Sequence, residues 1–352
     1  MSAVSVIIVG APRSGTYWLV DLLQTRLGVA IPTETHFIPL FARYLWLWGD
    51  LSKAPNRRRL LKSIYEFIAC WTVRSSVSGE YREQVRRVSL LVTIDEGRVD
   101  QIVEESHDYP SLIDALFMHF ADIHGASASG DKSAHYRALD PHKTFGYCSD
   151  AKMLHVIRDG RDVTLSWMKE WFGPSTLSEA AIEWRQHVEV NRTWGRANPE
   201  RYHELRYEDM AVDLEAEINK LKQFLGRDGG SESEGISGSA LAKALSSSPS
   251  HSGFIDIVAA DNVAKWKSRM PDSDVIEFER IAGATLVASG YEASNTSTES
   301  WPYHFPQLSG HKFRVAAKTL LPFILGFASK CGVSLLPLIN RGFAPEWRRI
   351  DI

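Results

Sequence analysis

The chain has 352 residues, 44% of them apolar, and eleven tryptophans, so it can bury a large core and is neither disordered nor fibrous. Its 40 basic and 43 acidic residues leave a formal net charge of −3 and a pI near 6.5, which excludes a nucleic-acid surface as the main business, because such a surface needs a basic excess. Cys70, Cys148 and Cys331 are widely spaced without a metal-ligand pattern, and predict reduced thiols, no disulfide framework and no structural zinc.

Val4 to Val9 is an apolar, β-branched run that predicts a strand; Gly10-Ala11-Pro12-Arg13-Ser14-Gly15 follows as a loop, and a helix runs from Thr16 to about Leu27. A strand, a short loop and a helix N-terminus make an anion site, and Gly15 lets the backbone approach a phosphate closely. Gly10 and Gly15 have the spacing of the ATP-binding pattern G-x-x-x-x-G-K-[ST], but Thr16-Tyr17 stands where Lys-Ser/Thr belongs, and the cation sits in the loop as Arg13. The expected ligand is a phosphate ester. The first strand is too short for a signal-peptide core, which predicts a soluble, cytoplasmic protein.

Val29-Ala30-Ile31 is a short strand candidate, and Glu34-Thr35-His36-Phe37 leads into an aromatic helix through Leu47. In an open α/β sheet the ligand crevice lies outside the carboxyl ends of the strands, so Glu34 is a candidate to face the reacting group, with a helix-capping role as the plain alternative. His36 is the rival base. A helical insertion is expected over about 43–125; its Arg57-Arg58-Arg59 run reads most simply as a solvated face, with acceptor recruitment as the second reading. Ser111 to His124 has helical apolar spacing, with His119 at the helix edge and without a ligand. Lys132, in Gly130-Asp131-Lys132-Ser133-Ala134-His135-Tyr136, reads by itself as part of a surface turn.

Met153 to Ile157 predicts a buried strand, Asp159-Gly160 a turn and Asp162 to Trp171 a helix. Arg158-Asp159-Gly160, at the strand end, reads by itself as a solvated connection, and Ser166 falls on the helix after it. A long helix over Ser178 to Ala197 and a strand over Tyr202 to Tyr207 come next. Glu208-Asp209 reads as structural, with Asp209 capping a helix through Phe224. Residues 228–252 are turn-rich and predict a mobile segment, followed by Asn262-Val263-Ala264-Lys265-Trp266-Lys267. In the tail, 296–352, the apolar stretches Leu320 to Ala328 and Val333 to Ile339 are broken by Lys330 and two prolines and are too short for a spanning helix. Packing on the core, an interface in a homo-oligomer and shallow membrane association are the three readings of that tail.

Ala11-Pro12-Arg13-Ser14-Gly15-Thr16, with Tyr17 and Trp18 after it, resembles the loop by which sulfotransferases hold the 5′-phosphosulfate of 3′-phosphoadenosine 5′-phosphosulfate (PAPS). Arg158 and Ser166 match that family's 3′-phosphate site. Glu34-Thr35-His36-Phe37 and Glu34-Thr35-x-x-Ile38-Pro39 are similar to segments of heparan sulfate 3-O-sulfotransferases and tyrosylprotein sulfotransferases, in which the Glu is the proposed base. Lys132 matches the lysine of the family pattern Glu/Asp-Lys-Ser/Thr-Pro-x-Tyr, with Ala134 in place of Pro, and Lys265 or Lys267 falls in a degenerate Gly-x-Trp-Lys/Arg segment near the nucleotide.

The resemblance runs from Val4 to about Tyr291 and implies a sulfotransferase domain over 1–295: an α/β fold with a mainly parallel sheet flanked by helices, of the P-loop nucleotide-kinase-like kind. It implies transfer of a sulfuryl group from PAPS to a hydroxyl, or less readily an amine, of a carbohydrate, glycolipid or small-molecule acceptor. Glu34 would take the acceptor's proton, Arg13 and Lys132 would stabilise the developing charge, and no metal would be needed. Donor-binding residues would be Arg13, Ser14, Gly15, Thr16, Tyr17, Trp18, Arg158, Ser166 and Lys265. The alternatives are an ATP-dependent, nucleotide-kinase-like phosphotransferase and a non-catalytic PAPS-binding protein.

Overall fold

A computed structural model describes residues 3–69, 89–95, 97–132, 141–170, 173–227, 262–293, 320–328 and 330. Five strands, β1 (Val4–Val9), β2 (Val29–Ala30), β3 (Ala128–Lys132), β4 (Lys152–Ile157) and β5 (Tyr202–Arg206), form one sheet in the order β2-β3-β1-β4-β5. Every pairing is parallel, with Ile8 opposite Lys132 on one side and opposite Leu154 on the other. Both faces of such a sheet are covered, which is why β1 and β4 are nearly continuous apolar runs.

The described helices are α1 (Thr16–Leu27), α2 (Phe37–Ala42), α3 (Ala54–Ile68), α4 (Leu91–Asp95), α5 (Val99–Glu105), α6 (Tyr109–Ile123), α7 (Pro141–Tyr147), α8 (Gly160–Trp167), α9 (Leu177–Ala197), α10 (Tyr207–Val212), α11 (Leu214–Leu225), α12 (Trp266–Arg269) and α13 (Asp272–Ala288), with residues 320–328 also helical. The strand alternation of β1 divides the core. Val6 and Ile8 pack with Leu19 and Leu23 of α1 and Ile218 and Leu221 of α11, whereas Ile7 and Val9 face the cluster built by α2 to α7. A third cluster, with Trp167, Trp184 and Phe278, lies where α8, α9 and α13 meet. Helix 320–328 rests on the α2 side through Leu325, which is buried. Among the described residues, no helix is long and apolar enough to cross a membrane.

Local chemistry moves several boundaries. Gly160 is the first residue of α8, not part of a turn before it, because the Asp159 carboxylate accepts the Arg161 backbone N–H as an N-cap; the helix is described to Trp167. Asp213, not Asp209, caps α11 by accepting the Ala216 N–H, and the aromatic stretch after Phe37 breaks at Arg43 into a turn and a short 3-10 segment. Arg57 is not on a solvated face: α3 places it on the buried stripe of Leu60, Leu61 and Ile64, where its guanidinium donates to the carbonyls of Leu51, Ser52 and Val103. His119 is buried in mid-helix, in contact with Glu105 at 2.8 Å and Arg98 at 3.0 Å. The expected mobile segment 228–252, the stretch Ser133 to Tyr136, Cys70 and Cys331 lie outside the described residues, while Cys148 is a buried free thiol.

Candidate active site

Because β1 is central and the chain leaves it toward β2 before crossing to β4, the crevice of the fold lies at the carboxyl ends of β1, β3 and β4. The loop after β1 closes there as a turn, with the Ser14 N–H donating to the Ala11 carbonyl at 3.1 Å. Gly15 has φ 93°, and a Cβ added to it would stand 2.6 Å from the Tyr207 ring, so both its backbone and its surroundings require glycine. Gly10 is packed as tightly, with Val156 O at 2.5 Å from a built Cβ. Ser14 and Thr16 are buried at the mouth of α1, and Trp18 meets the Tyr207 ring edge-on at 5.4 Å.

Two groups of charged side chains stand on this loop. On the β4 side, Arg13 Nε donates to Ser166 Oγ at 2.9 Å, and its NH1 lies 3.5 Å from Glu170. Burial pushes the Arg13 guanidinium below its ordinary value, and Glu170 opposes that shift. Arg158 is 8% exposed; its NH1 donates to the Arg13 carbonyl at 3.2 Å, its NH2 to the Asn262 carbonyl at 2.7 Å, and its guanidinium covers the Tyr207 ring at 4.5 Å. Among the described residues, the Nε of Arg158 is buried without a hydrogen-bond partner. An orphaned guanidinium donor next to a second cation and a glycine cradle fits a phosphate oxygen.

On the β3 side, Lys132 ends its strand with the ammonium fully buried, ion-paired to Glu34 and 3.7 Å from the centroid of the Tyr17 ring. Burial lowers the Lys132 pKa, and Glu34 acts against that shift. The other oxygen of Glu34 contacts His36 Nε2 at 2.9 Å. The segment carrying Glu34 is tied to β3 from below, where the Thr35 hydroxyl donates to the Asp131 carboxylate at 2.9 and 3.0 Å. His36, at φ 57°, then turns the chain into α2.

The residues expected at the site therefore divide into two clusters. Glu34, Lys132 and Tyr17 form one, and Arg13, Arg158 and Ser166 form the other; Arg13 is bonded to Ser166 rather than to the Glu34 pair. Lys265 pairs with the Asn262 side chain, close to Arg158 because the Asn262 carbonyl is bound there. Sequence reasoning missed Tyr207, which packs on Gly15 and Arg158, and missed the supports behind the site. One support is Asp162, whose carboxylate accepts the Trp266 N–H at 2.8 Å. Another is Arg161, held between Asp159 and Glu279 and 3.6 Å from the Trp266 ring centroid. The Tyr-Glu-Asp run was a usable signal for Tyr207, since Glu208 also binds this region by accepting from the Asp159 N–H and the Tyr291 hydroxyl. Among the described residues no group of His, Cys, Asp and Glu is arranged to hold a metal ion.

The family description "Sulfotransferase family" matches residues 5–229. Comparison with curated proteins returned no match. Among solved structures, the sulfotransferase domain from the curacin biosynthetic pathway has a TM-score of 0.54 at 16% identity over 82% of this chain and 98% of that one. The sulfotransferase domain of the Synechococcus PCC 7002 olefin synthase has a TM-score of 0.49 at 19% identity, over 82% and 94% of the two chains. Sulfotransferase STF9 from Mycobacterium avium has a TM-score of 0.41 at 14% identity, over 82% and 77%. With the α/β fold in place and a family match that takes in both charged clusters, the chain belongs to the sulfotransferase family.

Proposed function

We propose that this protein transfers a sulfuryl group from PAPS to a hydroxyl of an acceptor, with a carbohydrate or glycolipid as the favoured class and an amine as the less favoured one. The observation that carries this reading is the pairing of Glu34 with Lys132 beside the β1–α1 loop, opposite an arginine with an unpaired buried donor. PAPS, when bound, supplies a sulfuryl group on a phosphate leaving group. The backbone of Ser14 to Thr16 would hold its 5′-phosphate at the N-terminus of α1, with Gly15, Tyr17 and Trp18 around it, and Arg158, Ser166 and Lys265 would serve the 3′-phosphate.

In sulfuryl transfer, as in phosphoryl transfer, positioning and charge stabilisation dominate. Lys132 is a buried, charge-dense donor, suited to stabilising negative charge on a sulfonate, and Arg13 would add to it from the loop. Glu34 would accept the acceptor's proton as general base, and His36 would hold the carboxylate in place through their 2.9 Å contact. The absence of the loop lysine from the Gly10–Thr16 run disfavours an ATP-dependent phosphotransferase. Incubation of the protein with radiolabelled PAPS and an extract of the source cells, followed by identification of the labelled product, tests the reading. Tight nucleotide binding without transfer to any acceptor supports a non-catalytic protein instead.

A further inference from the structure

Helix 320–328 packs with one face and leaves the other uncovered. Leu325 is 1% exposed, and Gly326 lies so close to Leu47 that an added Cβ would stand 2.7 Å from it. On the other side Leu320, Phe323, Ile324 and Phe327 recur at i, i+3, i+4 and i+7 and are 38–57% exposed, with Phe323, the least exposed, also meeting the Tyr44 ring edge-on at 5.7 Å. Trp46, 61% exposed, extends this stripe, with Lys330 Nζ 5.9 Å from its ring centroid. The result is a ridge of large apolar side chains with a cation on its flank, an arrangement that marks an interaction surface.

Charge identifies the partner. Between Glu299 and Glu346 the sequence contains Lys312, Arg314, Lys318, Lys330 and Arg341 and no acidic residue, although the whole chain is net acidic. A second copy of this chain would bring Lys330, within a stretch of sequence that has no acidic residue, toward another of the same charge, which like-charge repulsion opposes. An anionic bilayer offers the complementary combination: acyl chains for the ridge, a headgroup boundary for Trp46, and negative charge for the lysines and arginines. The nine described helical residues 320–328 rise about 14 Å, roughly half of a hydrocarbon core, and among the described residues no helix is long and apolar enough to cross a membrane, so the docking geometry is that of a helix lying on the surface. We propose that the outer face of helix 320–328, together with Trp46 and Lys330, is a docking surface for an anionic membrane.

Flotation of the full chain with vesicles of phosphatidylcholine alone, or of phosphatidylcholine with phosphatidylserine, tests this. The protein should float with the phosphatidylserine vesicles, less so at high salt, and poorly with phosphatidylcholine alone. Ile324→Glu and Phe327→Glu should each weaken that binding by about tenfold or more, from the apolar area each side chain buries, with melting temperature and nucleotide affinity unchanged. Failure of the wild type to float with phosphatidylserine vesicles overturns the proposal, as does flotation of both variants like the wild type. A dimer in sedimentation equilibrium that Phe327→Glu dissociates, with no vesicle binding by either form, assigns the ridge to a second copy instead.

Discussion

The Arg13 guanidinium donates to the Ser166 hydroxyl at 2.9 Å although 153 residues separate them. This bond joins the loop after β1 to the helix after β4, and Arg158 reinforces it by donating to the Arg13 carbonyl. The loop after β1 and the segment after β4 are thus one structure. Ligand binding at either should be sensitive to the other.

Arg158→Ala is expected to weaken binding of 3′,5′-adenosine bisphosphate by roughly 1.5–3 kcal/mol, or about ten- to a hundredfold, through loss of a charge-assisted pair. Calorimetric titration measures this, and unchanged affinity removes Arg158 from the donor site. Adenosine 5′-phosphosulfate, which lacks the 3′-phosphate, should bind the wild type poorly and lose little on the same substitution.

Arg161→Met should cost stability without removing a donor contact. The guanidinium neutralises Asp159 and Glu279, both buried, and lies against Trp266. Removing it takes the Arg161 charge away from both carboxylates, a loss of about 3–5 kcal/mol for a broken buried pair. Urea denaturation reads the loss directly. Restoration of stability in Arg161→Met combined with Asp159→Asn and Glu279→Gln would show that the cost is uncompensated charge, not lost packing.

Asp162 makes stability depend on pH with a sign opposite to that of an ordinary ion-paired carboxylate. Burial raises its pKa from 3.8 to about 6, while its bond from the Trp266 N–H and the nearby Arg158 charge hold it down. With the folded value above the unfolded one, this group's contribution is fully present below about pH 3.8 and is lost as pH rises through about 6. Asp162→Asn keeps an acceptor for the Trp266 N–H and removes the charge. It should be more stable than the wild type at neutral pH by about 1–3 kcal/mol, and the difference should shrink to near zero in acid. Denaturant melts of both proteins across this window test it; a constant difference would mean that Asp162 does not titrate there.

The legible parts of this fold are those whose physics is local. β1 and β4 are buried on both faces and so appear as unbroken apolar runs, and the loop between Gly10 and Gly15 is marked by the backbone geometry it needs. Glu34 was recognisable from its place beside a strand end, and Lys132 only from the family pattern it matches. Their direct pairing was not, because it depends on β2 and β3 being neighbours, a relation no local pattern encodes. The Thr35–Asp131 tie and the Arg161 network are hidden for the same reason, each spanning about a hundred residues. Arg57 is different. Its i, i+3, i+4 and i+7 spacing with Leu60, Leu61 and Ile64 was visible, and was obscured by reading three consecutive arginines as one solvated unit.

Glu34 carries the chemistry in the proposed reaction, and its surroundings allow a sharp test. One carboxylate oxygen faces Lys132 and the other His36, so Glu34→Gln preserves shape and one acceptor while removing the group that takes a proton. Single-turnover sulfuryl transfer should slow by about 10²–10⁴-fold, the usual contribution of a general base, with nucleotide affinity retained. If Glu34 were only a structural partner of Lys132, the glutamine variant would lose melting temperature and keep most of its turnover. His36→Asn should have the smaller effect, because in this arrangement the imidazole acts on the carboxylate and not on the acceptor. Measuring transfer rate, nucleotide affinity and melting temperature together in both variants separates these roles: near-normal transfer by Glu34→Gln with collapse in His36→Asn would make the histidine the base and reduce Glu34 to its support.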